Sequence, residues 1–190
     1  MREPRSRADA VRNREAVLDA AEALFVREGL AQVSMNSVAA AAGVGKGTVF
    51  RAFTDRAGLL QALAGRRTAP LQEAAAEGPA PLGPGTPPRE RIPALLDAVA
   101  RAKLDNLSLY VALEETGSSS PYRVPSYGWW HGTLRGELEK LTDPAHAGFL
   151  AHALLAAVRA DLMTHLAVEE GIPAEEIRER LAAYVESALP

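Results

Sequence analysis

The sequence of 190 residues contains no cysteine, which excludes disulfide bonds, thiolate nucleophiles and cysteine-ligated metals. Aromatic residues make up only 5% of the chain. No apolar run approaches the roughly 20 residues that a helix needs to span a bilayer. The basic start, residues 1–15, is not followed by the apolar stretch of a signal peptide. We therefore expect a cytoplasmic protein without a membrane partner, a cofactor or a metal.

The net charge of −3 hides an asymmetry between the two parts of the chain. Residues 1–67 hold eleven Lys and Arg against seven Asp and Glu, whereas residues 68–190 hold ten against seventeen. A basic N-terminal third on an acidic body indicates that a polyanion binds at one end only.

Apolar residues recur with helical spacing, and no segment alternates convincingly as a strand. The sequence therefore predicts an all-α protein. We predict about nine helices, over residues 8–28, 34–42, 46–52, 55–76, 89–104, 106–115, 127–141, 144–169 and 174–188. The stretch "EGPAPLGPGTPP", residues 77–88, is mostly proline and glycine, which excludes a helix and predicts a flexible linker.

The stretch "AAGVGKGTVFRAF", residues 41–53, predicts a tight turn followed at once by a short helix. Two short helices that cross at a wide angle need a left-handed residue between them, and Gly43 takes that conformation without steric cost. Val49 and Phe53, four residues apart, would anchor the second helix inward. Lys46 and Arg51 would then project, and a B-form major groove is wide enough for one such helix. The alternative is an ordinary helical hairpin with a glycine cap.

The segment "VSMNSVAAAAGVGKGTVFRAFTDRAGLL", residues 33–60, resembles the DNA-binding signature of the TetR family of transcriptional regulators. That signature reads threonine or serine, a helix ending in Ala-Gly-Val, then Gly-Thr-Leu-Tyr with a Phe three residues on, and Lys-x-x-Leu-Leu. The resemblance covers residues 10–65. It implies an N-terminal three-helix DNA-binding domain (1–54), a connecting helix (55–76), the linker (77–88) and a helical ligand-binding and dimerisation domain (89–190).

The resemblance also implies a function. The chain would be a repressor that binds an inverted-repeat operator in double-stranded DNA as a homodimer, and a small-molecule effector would release it. The homodimer would form through the last two helices, whose apolar stripes suit either a monomer core or a four-helix bundle with a second copy.

The family's DNA contacts map onto this chain residue by residue. Thr48 would bond a phosphate, and Arg56 takes the place of a lysine that grips the DNA backbone. Lys46 and Arg51 are the best candidates for the acceptor edge of guanine. Phe50 stands where the family usually has a tyrosine, so its ring would only pack against sugar. The implied DNA-binding residues are Ser34, Asn36, Lys46, Gly47, Thr48, Phe50, Arg51 and Arg56.

A small molecule would bind where aromatic residues concentrate, in "SPYRVPSYGWWHG", residues 120–132. Apolar pockets with a few converging polar groups are the usual ligand sites. The candidate ligand contacts are Tyr110, Tyr122, Trp129, Trp130, His131, Phe149, His152 and Met163. The alternative places one tryptophan in the core and the other at the surface. Arg123 would suit an anionic ligand, or it is a solvated loop residue.

Two other classes of function stay open from the residues alone. A small helical enzyme would use His131 or His152, although neither has a nucleophile or an orienting carboxylate at a recognisable spacing. A helical adaptor would have the same fold without DNA binding. Asp161 and His165 lie four apart on one helix, but such a pair falls short of a metal site.

Overall fold

The computed structural model describes residues 7–115, 122 and 125–190, and the regular structure in these ranges is helical, as predicted. The elements in chain order are α1 Arg7–Glu28, α2 Met35–Ala41, α3 Lys46–Phe53, α4 Arg56–Glu77, α5 Pro88–Leu104, α6 Leu107–Glu115, α7 Pro125–Leu138, α8 Pro144–Ala157, α9 Ala160–Thr164 and α10 Ala174–Ala188. A 3-10 turn, Leu30–Gln32, precedes α2, and a π-helical turn, His165–Glu169, follows α9.

The chain divides into two compact units, Met1–Arg67 and Thr68–Pro190. The division falls within α4, so a single helix contributes residues to both units. The first unit therefore includes the first half of the helix that the sequence predicts to be a separate connecting segment.

The core of the first unit is formed by the apolar faces of α1, α2, α3 and the first half of α4. Its fully buried side chains include Leu59, Leu60 and Leu63 of α4. Burial of each such side chain stabilises the unit by about 1.5–3 kcal/mol relative to exposure. The buried apolar residues are Val17, Leu18, Ala21, Leu24, Val33, Met35, Val38, Ala39, Val49, Phe53, Leu59, Leu60, Leu63 and Ala64.

The core of the second unit joins α5, α7, α8 and α10 with the end of α4. The predicted stripe of α10 is buried at Ile177, Leu181 and Val185. The members of the main cluster are Ala75, Ile92, Leu95, Leu96, Val99, Ala100, Trp130, Leu134, Leu138, Ala147, Leu150, Ala151, Leu154, Leu155, Val158, Leu181 and Val185.

The predicted linker is a series of turns that belongs to the second unit. Leu82 packs against the core of that unit. Its carbonyl accepts a hydrogen bond from Nε of Arg91 at 2.8 Å, and Nη2 of Arg91 donates to the carbonyl of Ala75 at 2.6 Å. The buried guanidinium also pairs with the buried carboxylate of Glu137. One arginine therefore ties α4, the turns, α5 and α7 together.

The prediction of one helix over residues 144–169 was wrong. Asp143 caps the start of α8, and Pro144 occupies its first helical position. The helix ends at Ala157. Arg159 is extended, with φ −66° and ψ 147°, and α9 begins after it. Because the helix ends there, the carbonyl of Val158 accepts a hydrogen bond from the Lys103 ammonium at 2.6 Å.

The same stretch, Pro144–Glu169, is long and apolar enough to cross a membrane by length and composition alone, with a mean hydropathy of 1.3 in its most apolar window. Its side chains fill the core of the second unit at Leu150, Leu154 and Val158. Core helices of globular proteins are often as long and as apolar, so the burial of these side chains accounts for the hydropathy.

Candidate nucleic-acid interface

The turn between α2 and α3 has the geometry that the sequence predicts. Ser34 caps α2, because its hydroxyl accepts a hydrogen bond from the Ser37 amide at 3.1 Å and the Ser37 hydroxyl accepts one from the Ser34 amide at 3.0 Å. Such a reciprocal capping box satisfies two helix-terminal donors. Gly43 ends the helix with φ +64°, a left-handed conformation that side chains other than glycine adopt at a cost.

The helix α3 has one buried and one exposed face. Val49 is fully buried and Phe53 nearly so, and these two anchors set the rotation of the helix. Lys46 and Arg51 are exposed, and Phe50 exposes 47% of its surface. The predicted projecting cations thus lie on the solvent side of a helix whose opposite side belongs to the core.

Thr48 and Gly47 shape the surface between these cations. Thr48 is half-buried, and Nη2 of Arg51 lies 3.4 Å from its hydroxyl oxygen, a long and therefore weak hydrogen bond. A Cβ atom added to Gly47 would meet no heavy atom within 4 Å. The glycine accordingly leaves an open space on the exposed side of α3, next to Lys46.

The two predicted contacts on α2 differ in their availability. The Ser34 hydroxyl is committed to the capping box with Ser37, which makes the residue a structural cap. Asn36 is exposed in the first turn of α2. A DNA contact of Asn36 is therefore sterically open, and a contact of Ser34 stays a prediction.

Arg56 holds the backbone of its own unit. Its Nε donates to the carbonyl of Val33 at 2.9 Å, and its Nη2 donates to the carbonyl of Leu30 at 3.2 Å. These bonds join the start of α4 to the turn before α2. The predicted grip of Arg56 on a DNA phosphate stays a prediction, but the side chain also has a structural role that the sequence pattern does not indicate.

Sequence reasoning missed residues at the junction of α3 and α4. Thr54 has φ 66° and ψ −57°, and the Asp55 amide donates to the Phe53 carbonyl at 2.7 Å. This is a γ-turn of the rare, strained kind, and positive φ in a β-branched residue is a true outlier. Arg14 of α1 donates to the carbonyl of Ala52. No local motif signals either feature.

The aromatic segment forms a surface cluster, which we call the aromatic cluster: Tyr122, Tyr127, His131 and His152. The Tyr127 hydroxyl lies 2.6 Å from Nδ1 of His152, and the two imidazole rings stack with centroids 3.9 Å apart. Tyr122 meets Tyr127 edge to face at 5.1 Å. Desolvation and then the charge of His131 lower the pKa of His152, and desolvation raises the pKa of Tyr127.

The remaining predicted ligand contacts lie apart from this cluster. Trp130 and Met163 are buried in the second unit, whereas Phe149 is 72% exposed. Trp129 is half-buried and meets Trp130 edge to face at 4.7 Å. Tyr110 lies under the Lys103 ammonium, 5.8 Å from its ring centroid. The eight candidates therefore do not line one common cavity.

A depression of about 210 Å³ lies elsewhere on the second unit, between α5 and α10. It is lined by Asp97, Glu175, Arg178, Glu179 and Ala182. Arg178 is committed to Asp97 by two hydrogen bonds of 2.6 and 2.8 Å. None of the predicted ligand contacts lines this depression.

Asp161 and His165 bind different partners. The Asp161 carboxylate accepts hydrogen bonds from Arg159, whereas the His165 ring contacts Glu169 at 2.8 Å and Glu170 at 3.1 Å. The hydrogen bond and charge of Glu169 raise the pKa of His165. The arrangement is a set of surface ion pairs.

Comparison with known proteins gives a family match in the first unit. Residues 17–63 match the model of the family described as bacterial regulatory proteins, tetR family. An HTH-type transcriptional repressor, BepR, from Brucella suis biovar 1 (strain 1330) is 36% identical over 69 residues, which cover 36% of this chain and 33% of that protein. An HTH-type transcriptional regulator from Staphylococcus aureus (strain bovine RF122 / ET3-1) is 42% identical over 53 residues, which cover 28% and 29%. The match thus spans about a third of the length of these relatives.

Solved structures resemble the whole fold. Thermus thermophilus FadR, described as a TetR-family transcriptional repressor in complex with lauroyl-CoA, has a TM-score of 0.65 at 20% identity, covering 90% of this chain and 91% of that one. A TetR variant from Acinetobacter baumannii AYE in complex with minocycline has a TM-score of 0.67 at 16% identity, covering 92% of each chain. At such identities the likeness shows the fold.

Proposed function

We propose that this chain, whose residues 17–63 match the model of the tetR family of bacterial regulatory proteins, is a member of that family and a ligand-responsive transcriptional repressor of the cytoplasm. The first unit would bind duplex DNA, and the second would carry the dimer contact and the effector site. The observation that carries this proposal is the two-sided helix α3, whose buried anchors Val49 and Phe53 present Lys46 and Arg51 to solvent.

The roles at the DNA follow from chemistry and exposure. Lys46 and Arg51 would donate to N7 and O6 of guanine, where a bidentate arginine is the commonest specific contact. Thr48 and Asn36 would donate to phosphate oxygens, which fix the register of a protein on the duplex. Phe50, without a hydroxyl, would cover sugar with its half-exposed ring. The open surface at Gly47 would admit the DNA backbone closely.

The second unit would form the homodimer through α8 and α10. Phe149 on α8 is 72% exposed and Tyr184 on α10 is 42% exposed, and exposed alanines at Ala145 and Ala156 leave α8 room for close approach of another helix. Two helices from each copy would make a four-helix bundle around a two-fold axis. Because the dimer would have two-fold symmetry, its operator would be an inverted repeat. The two half-sites would lie one helical turn of DNA, or a multiple of one turn, apart.

A small-molecule effector would bind the second unit. The lauroyl-CoA and minocycline complexes of the structural relatives support an organic effector for this chain. The candidate contacts are the aromatic cluster and, apart from it, the predicted residues Tyr110, Trp129 and Phe149. In the proposed dimer, operator binding would need one particular separation of the two DNA-binding units. An effector that binds more tightly to a state with a different separation would weaken operator binding, by the difference between its affinities for the two states.

Selection of bound sequences from random duplex DNA tests the proposal. We expect enrichment of an inverted repeat, with affinity that falls steeply as salt rises because counterions are released from the phosphates. Affinity for the selected duplex is then measured with candidate effectors. Failure to enrich any duplex would refute DNA binding, and enrichment of a single half-site would refute the dimer.

A further inference from the structure

Arg14 of α1 contacts the end of α3 in two ways. Its Nη1 donates a hydrogen bond to the carbonyl of Ala52 at 2.7 Å, although the two residues lie 38 positions apart in the sequence. The centre of its guanidinium lies 4.4 Å from the centroid of the Phe53 ring. The side chain is half-buried. One planar group thus holds both the backbone and the last aromatic anchor of α3.

The ending of α3 explains why this contact is available. The last carbonyls of a helix have no partner within the helix, and the reversed backbone at Thr54 stops α3 from continuing. The amides that follow are directed elsewhere: Thr54 donates to the Phe50 carbonyl and Asp55 to the Phe53 carbonyl. Arg14 supplies a donor for Ala52, and a cation at the carbonyl end of a helix is favoured by the helix dipole.

We propose that Arg14 is a positioning residue for DNA recognition, an inference that rests on the proposed function. The helix α3 has eight residues, about two turns, so two buried side chains leave its tilt poorly constrained. Arg14 fixes its carbonyl end on α1. A small tilt would move Lys46 and Arg51 out of reach of base edges, while general attraction to phosphate would persist. Arg14 therefore sets discrimination between sequences.

Replacement of Arg14 by lysine tests this role in the full-length protein. Arg14→Lys keeps the positive charge. Lysine, however, has no planar guanidinium, so it cannot both donate to the Ala52 carbonyl and stack on the Phe53 ring. The control is Arg12→Lys on the same helix, since the Arg12 side chain is 71% exposed and pairs with Asp9, three residues before it. Affinities for the selected operator and for a scrambled duplex are measured by fluorescence anisotropy over a salt series, together with thermal unfolding.

We expect the ratio of operator to scrambled affinity to fall about tenfold in Arg14→Lys, the discrimination that one good base contact carries. Affinity for the scrambled duplex, its salt dependence and the behaviour of Arg12→Lys should match the wild type. A second variant, Phe53→Leu, removes the stacked ring but keeps an apolar anchor, and it should lower the same ratio.

Three results would overturn the inference. Equal losses on both duplexes, with a shallower salt dependence, would mean that Arg14 contacts phosphate. A lower unfolding temperature with an unchanged affinity ratio would mean that the residue only stabilises the fold. An unchanged ratio in both Arg14→Lys and Phe53→Leu would also exclude positioning. Wild-type protein that does not discriminate between the duplexes would instead refute the proposed function itself, before any variant is measured.

Discussion

Gly58, in the first turn of α4, is packed against the end of α3 so closely that it leaves no room for a methyl group. A Cβ atom at Gly58 would lie 2.1 Å from the backbone oxygen of Phe53, well below the 3.0 Å that Cβ contacts essentially never undercut. The Gly58 amide is also fixed, because it donates to the Asp55 carboxylate at 2.8 Å. Substitution Gly58→Ala therefore requires movement of α4 against α3.

Relief of this clash needs a backbone shift on the order of 1 Å, and overpacking of a filled site costs about 1–3 kcal/mol. Gly65 in the same helix gives a matched control, because a Cβ atom there would meet nothing within 4 Å. Gly65→Ala should stabilise α4 by about 0.5–1 kcal/mol, since alanine loses less backbone entropy in a helix. The same substitution in one helix is thus expected to lower the free energy of unfolding at Gly58 and to raise it at Gly65.

Urea unfolding followed by circular dichroism measures the two free energies of unfolding, and fluorescence anisotropy measures operator affinity. Gly58→Ala should lower both the stability and the affinity, because Phe53 belongs to α3 as well as to the strained junction. Gly65→Ala should raise the stability and leave affinity unchanged. Equal stability of the two variants would refute the close packing of α3 against α4.

Three further predictions concern the second unit. Arg91→Met should destabilise it by about 3–5 kcal/mol in urea unfolding, because the Glu137 carboxylate loses its buried partner and keeps Lys140, whose side chain is 51% exposed; a loss below about 1 kcal/mol would contradict a buried pair. The lowered pKa of His152 means that the unfolded state takes up a proton first, so stability should fall as the pH drops below the ordinary value of 6.5. The raised pKa of His165 has the opposite effect on stability, so the comparison is made in a His165→Gln background. In that background His152→Gln should reduce the loss of stability at low pH, and an unchanged pH profile would show that His152 does not cause it. If the proposed homodimer forms through α8, Phe149→Lys should convert it to monomer in light scattering, and a persistent dimer would exclude this face of α8.

The helix α3 was predictable because its determinants are local. Gly43 needs its left-handed conformation whatever surrounds it, and the spacing of Val49 and Phe53 fixes which side of α3 is buried. The capping role of Ser34 follows from the same short-range rules. The family signature consists of these local features, and for that reason it also predicted that Lys46 and Arg51 are exposed.

The contacts that bring distant residues together were not predictable from periodicity. In the helical pattern Arg14 and Arg56 are ordinary basic residues of amphipathic helices. Each nevertheless donates a hydrogen bond to a backbone carbonyl more than twenty positions away. Arg91 is a charged residue at a position of the apolar face of α5, four residues before Leu95, and it is buried. Phe149 continues an apolar stripe of α8 but is exposed, because the stripe is wider than the surface that the second unit covers.

The central claim is that the exposed face of α3 enters duplex DNA, and the affinity of Lys46→Ala and Arg51→Ala for the selected operator tests it most directly. The control is Arg135→Ala, which removes an exposed cation of α7 that pairs with Glu139. We predict that each α3 variant loses about tenfold or more in affinity, as expected for a lost base contact, while the control binds as the wild type does. Wild-type affinity in both α3 variants would contradict the account.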